Sequence, residues 1–197
     1  MKYGEATLGQ VEAVWNKLGG PEGVQMLLAG ELEVRRVRRA WRTIKIGTPG
    51  LRTADDFRKI FKARGIDIGN GGNDILSKPE FTVAGQETEL DLVIISVAEL
   101  GFRNGARRDQ IYDRAKNLGL GLCPAEVGPQ LRLQYVGQPN GECLLIGMEP
   151  IRDSYGILSV FDVVGDGSGP YLNSHSGSAN FVWSVDSRWV FVFRKSA

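Results

Sequence analysis

The chain has 197 residues, 42% apolar and 24% charged, with 24 Lys and Arg against 23 Asp and Glu. That mixture is an ordinary globular one and excludes collagen-like or disordered architecture. A formal charge of +1 gives no global preference for nucleic acid or an anionic membrane, no apolar run reaches the roughly 18 residues of a membrane span, and the first thirty residues lack the basic-then-apolar layout of a signal peptide.

In chain order, residues 7–18 place Leu8, Val11, Val14, Trp15 and Leu18 at helical intervals, and Gly19-Gly20-Pro21 ends that element before a second short helix over 22–30. The expectation is a helical hairpin. A third helix is expected over 31–41, with Val34, Val37 and Trp41 in one stripe and Arg35, Arg38, Arg39 and Arg42 on the neighbouring arc. Residues 1–64 carry thirteen Lys and Arg against seven Asp and Glu, and 65–197 carry eleven against sixteen, so the chain is electrically polarised.

Residues 42–47 alternate polar and apolar as a short strand does. Thr53 with Asp56 offers a helix N-cap, Phe57, Ile60 and Phe61 supply the buried stripe that follows, and Gly65 the stop. Gly69-Asn-Gly-Gly-Asn-Asp74 reads as a loop. The β-branched run within 90–97 reads as a buried strand, and 107–118 as a helix. Pro124 opens a short helical turn that Gly128-Pro129 interrupts. Strands are expected over 143–148, 157–164, 181–185 and 189–193, joined by turn-rich segments at 152–156 and 165–170.

The stretch Leu118-Gly-Leu-Gly-Leu-Cys-Pro-Ala-Glu-Val-Gly-Pro-Gln-Leu-Arg-Leu-Gln-Tyr135, with Thr53-Ala-Asp-Asp-Phe57 before it and Gly147-Met-Glu-Pro-Ile151 after it, resembles an uncharacterised bacterial protein family. The resemblance spans 42–195, is most specific at Cys-Pro-Ala-Glu-Val-Gly-Pro, and implies no activity and no catalytic residue. Relatives carry a more acidic turn where this chain has Asp153-Ser-Tyr-Gly156, which argues against an ion-binding loop there.

Cys123 and Cys143 are too far apart for a CxxC element, and with His175 as the one histidine the chain lacks a closed zinc ligand set. Both are expected to be free thiols. Either with His175 would make a thiolate and its base if the fold brought them together; Ser174 and Ser176 beside His175 lack a nucleophile elbow. Glu126, Glu142, Glu149, Asp153, Asp162 and Asp166 could supply paired carboxylates, although carboxylates in turns are commonly solvated or capping. Asp162 and Asp166 do not meet the calcium-loop pattern, and Gly69-Asn-Gly-Gly-Asn is not a phosphate loop.

The expectation is an α+β protein: a helical basic N-terminal region, a mixed α/β middle and an antiparallel C-terminal sheet, divided as a 1–41 extension and a 42–197 globular domain. Function is expected to be non-enzymatic binding, with Arg35, Arg38, Arg39 and Arg42 meeting nucleic acid or an acidic protein surface and Trp41 able to stack on a base. The alternative is a small hydrolase using a Cys/His pair or paired carboxylates. No metal, cofactor or membrane partner is expected, the location is expected to be cytoplasmic, and oligomeric state is left open.

Overall fold

The computed structural model describes residues 6–32, 39–167 and 169–193, and the chain divides into two compact units, 1–38 and 39–197. In the first, α1 (Leu8–Leu18) starts at a capping box in which the Thr7 hydroxyl accepts from Gln10 N–H and the Gln10 side chain accepts from Thr7 N–H at 2.8 Å. α2 (Gly20–Leu28) follows at once, with Pro21 in its first turn.

The second unit begins with Arg39, exposed and non-helical, and β1 (Arg42–Ile46). Arg35 and Arg38 lie outside the described residues. The helix expected up to Trp41 therefore does not carry Arg39 and Arg42 on one face. The competing order is a β-ladder: Trp41 N–H donates to Leu92 O at 2.7 Å, and alternation along the strand buries Ile44 and Ile46.

Next come α3 (Ala54–Ala63), β2 (Asp67–Ile68), α4 (Asn70–Leu76), β3 (Thr88–Ser96), β4 (Ala106–Arg107), α5 (Arg108–Asn117), β5 (Leu120–Gly121) and α6 (Val127–Gln134). The rest is β: β6 (Glu142–Ile146), β7 (Ile151–Arg152), β8 (Leu158–Asp166), β9 (Gly169–Ser176), β10 (Val182–Trp183) and β11 (Arg188–Phe193). The main sheet runs β1-β3-β11-β6-β8-β9-β2, and β4 pairs with β10 separately. The fold is α+β. Within it β6, β8 and β9 pair antiparallel, whereas β11 enters between β3 and β6, antiparallel to the first and parallel to the second.

Register assigns the two faces. Ile95, Trp189, Leu145, Asp162 and Asn173 form one rung across five strands, and α5 covers this face through Tyr112, whose ring meets Trp189 and Phe191 edge-on. The opposite face presents Phe161, Val163 and Leu144 to α3 and α6, with Phe57, Phe81 and Phe161 in successive edge-to-face contacts. Phe57 and Phe161, both fully buried, each contribute about 1.5–3 kcal/mol of transfer free energy.

Three elements depart from the sequence reading. The glycine run expected as a loop is α4, because a Cβ at Gly72 would lie 2.9 Å from both Asn173 Cα and Leu172 O: the glycine is what lets a helix lie on β9. Gly128-Pro129 falls inside the first turn of α6 instead of interrupting it; proline needs no N–H donor there, and a Cβ at Gly128 would strike the Phe161 ring at 2.7 Å. The Ser/Gly-rich segment around His175, which lies outside every expected strand, is β9, zipped to β8 from Gly169 to Ser176.

Candidate functional site

α6 is short, largely buried and polar on two sides. Glu126, Gln130 and Gln134 recur every four residues and share one side, while Arg132, about 200° from Gln130 at 100° per residue, looks the other way. These sides meet two cavities, of about 380 and 400 Å³, that share Arg64 of the α3 terminus and Leu133.

The first side is a closed hydrogen-bond ladder. Lys45 of β1 donates its N–H to Gln134 Oε1 (2.9 Å) and accepts at its carbonyl from Gln134 Nε2 (2.7 Å), so the amide stands where another strand would pair. Gln134 Nε2 also donates to Gln130 Oε1 (3.0 Å), and Gln130 Nε2 to Thr48 Oγ1 (3.1 Å) and Glu126 Oε1 (2.9 Å). Glu126, wholly buried, accepts further from Gly47 N–H (2.7 Å) and Ala84 N–H (2.8 Å). Lys45 Nζ is paired with Glu87 at 2.9 Å. Lys45, Gln130 and Gln134 in the wall of the first cavity are thus already partnered within the chain.

The second side differs. Arg132 is 3% exposed, donates through Nη1 to Gln138 Oε1 and to Val164 O (3.0 Å), and through Nη2 to Tyr135 O (2.7 Å). Guanidinium carries five N–H donors, and Nε, also buried, has no partner. Among the described residues no carboxylate forms an ion pair with Arg132 or Arg64. Removal from water lowers the Arg132 pKa, in the direction expected of a cation held by neutral oxygens alone. Arg64 is exposed and reaches Leu133 O at 3.5 Å.

The other sequence candidates are dispersed. Arg42 lies over the Tyr135 and Trp41 rings, 4.6 and 5.1 Å from their centroids, and donates to Gln134 O, which holds it half-buried. Trp41 is itself edge-on to Tyr135 at 5.1 Å. Cys123 is buried, its thiol 3.4 Å from Val190 O and pushed far above its ordinary pKa by burial. Cys143 is raised to about 12 by burial and by Asp162, whose Oδ2 lies 3.7 Å from its sulfur. His175 is on β9 opposite Val160, with Nδ1 accepting from Ser176 N–H at 2.8 Å and its ring 4.7 Å from Trp183. Across β8 the Cys143 rung leads to Val164 and Tyr171, four residues from His175. The fold does not bring either thiol to the imidazole.

Nor does it assemble a carboxylate pair from the expected set. Glu142 is bound to Arg188 at 2.5 Å, and Asp153 accepts from Tyr155 and Ile157 N–H within its own turn. Glu149 is exposed, and Asp166 lines the second cavity. Asp162 is 4% exposed with Oδ1 unpartnered, and burial raises it to about 6. Among the described residues no group of three His, Cys, Asp or Glu could hold a metal ion, and no helix is long and apolar enough to cross a membrane.

Sequence reasoning counted Glu126 among turn carboxylates and passed over Arg132 altogether. The signal available was the four-residue spacing of Glu126, Gln130 and Gln134, hidden by reading Gly128-Pro129 as a break. No known protein family, curated protein or solved structure matches this chain.

Proposed function

We propose that the protein is a non-enzymatic binding protein whose partner presents an anionic group to Arg132 and Arg64. One observation carries this reading: a buried guanidinium with no ion-paired carboxylate lines an open cavity and keeps its Nε without a partner. A cation taken from water and met only by neutral oxygens is costly, and an anion from outside would offset that cost with charge-assisted hydrogen bonds. Arg35, Arg38 and Arg39 supply a second cationic stretch for a larger acidic partner or nucleic acid; Arg42, held by Trp41, Tyr135 and Gln134, contributes little to it.

Thermal unfolding in phosphate and pyrophosphate, against chloride at matched ionic strength, tests the reading. A site held at 100 times its Kd gains about 2.7 kcal/mol, so the melting temperature should rise with the multivalent anion and Arg132→Met should remove the rise. An equal rise in the variant, or none in the wild type, overturns it. Reversing the charge of Arg35, Arg38 and Arg39 together should weaken salt-sensitive binding of an oligonucleotide while leaving the phosphate response intact.

A further inference from the structure

The cavity beside Arg132 has two kinds of wall. Arg64, Arg132 and Asn140 are polar, whereas Leu133, Val136 and Pro170 are apolar. Val136 is 85% exposed, an uncovered apolar side chain at a cationic site. Gln138, also in the wall, is fully engaged: Oε1 accepts from Arg132, and Nε2 donates to Glu142 O (3.1 Å) and Val163 O (3.0 Å). The cations of the wall are therefore the two arginines, beside the polar Asn140 and Asp166, while Ile66, Leu133, Val136 and Pro170 supply hydrocarbon.

We propose that the ligand is a small amphiphilic anion, with a phosphate or carboxylate head on Arg132 and Arg64 and a short apolar body against Leu133, Val136 and Pro170. The inference rests on the anion-binding reading above. A volume of about 400 Å³ lies at the small-molecule end of ligand cavities. A polyanion fits this cavity less well, since Arg64 and Arg132 are the two cations in its wall and Asp166 also lines it.

Calorimetric titration of the full chain with n-alkyl phosphates from methyl to hexyl, the matching n-alkanoates, and inorganic phosphate as a head without a body tests the proposal. Affinity should rise about fourfold per methylene seated, the equivalent of apolar transfer, until the cavity is filled. The phosphate and carboxylate arms identify the head. Arg64→Glu, at an exposed position, should abolish binding with an unchanged melting temperature, and Val136→Asp should flatten the chain-length dependence. Binding of inorganic phosphate with no gain along the series overturns the amphiphile and leaves the anion site standing. Absence of binding by every probe overturns both, and a chain-length gain that survives Arg64→Glu places the hydrocarbon elsewhere and overturns the proposal.

Discussion

The two sides of α6 are built from similar material and finished differently. Toward the first cavity, Glu126, Gln130 and Gln134 exchange hydrogen bonds with one another and with the backbone at Lys45, Gly47 and Ala84. Toward the second, Arg132 is as deeply buried as Glu126 yet keeps an unpartnered Nε. The contrast separates polar groups that are fully partnered within the fold from one that keeps a buried donor without a partner. A buried charge satisfied by its own chain is sufficiently explained by structure; one left short of partners calls for a ligand or leaves a cost.

That contrast can be broken most forcefully at Glu126. Glu126→Ala strands the Gly47 and Ala84 N–H groups and the Gln130 amide, and should cost about 3–5 kcal/mol in urea unfolding with no change in anion binding of the folded fraction; a loss under about 1 kcal/mol would mean that the ladder does not support the fold.

Asp162 sharpens the comparison from the acidic side, as a buried carboxyl with one unpartnered oxygen. Its pKa moves from 3.8 to about 6 on folding, so the folded chain holds the proton more tightly. Stability from this group is complete at low pH and falls as pH rises between those values, by about 3 kcal/mol in all. Asp162→Asn should accordingly match wild type near pH 3 and exceed it by up to that amount at pH 8; a pH-independent difference between the two would show that folding does not raise the carboxyl's pKa.

Smaller effects are expected at Gln134 and Arg132. Gln134→Ala removes the amide at the β1 edge and should cost about 1–2 kcal/mol, with faster hydrogen exchange at Lys45 N–H. Arg132→Met also loses hydrogen bonds but relieves the burial of a charge, so its net change should stay within about 1 kcal/mol. If Arg132→Met proves as destabilising as Glu126→Ala, the two sides are not different in kind.

Where one local cause decided the structure, the residues could be read directly. Thr53 and Asp56 form the expected capping box, with both reciprocal bonds made, and Phe57 and Phe61 are buried as their spacing requires. The β-branched run became β3, and the helix over 107–118 became α5. The failures share a different cause: α4, α6 and β9 depend on close approach between segments distant in sequence, where glycine marks contact instead of a turn. A period of four that crosses a Gly-Pro pair looks like an interruption until the ring of Phe161 is known to occupy the space above Gly128. The second cavity was illegible for the same reason, since its cationic wall joins the end of α3 to α6 and a third side from the β8–β9 turn.

The placement of β11 governs when the sheet can exist at all. It is the last described strand in the chain and lies between β3 and β6, pairing with both. A nascent chain that has emerged only as far as β9 holds two half-sheets, β1-β3 and β6-β8-β9, each with an open apolar edge where Val190 and Phe191 will later insert. Closure of the sheet thus waits until β11 has been made, and until then the two halves have no direct ladder joining them. Loss of residues 188–193 would remove the seam itself, and with it the ladders to both β3 and β6.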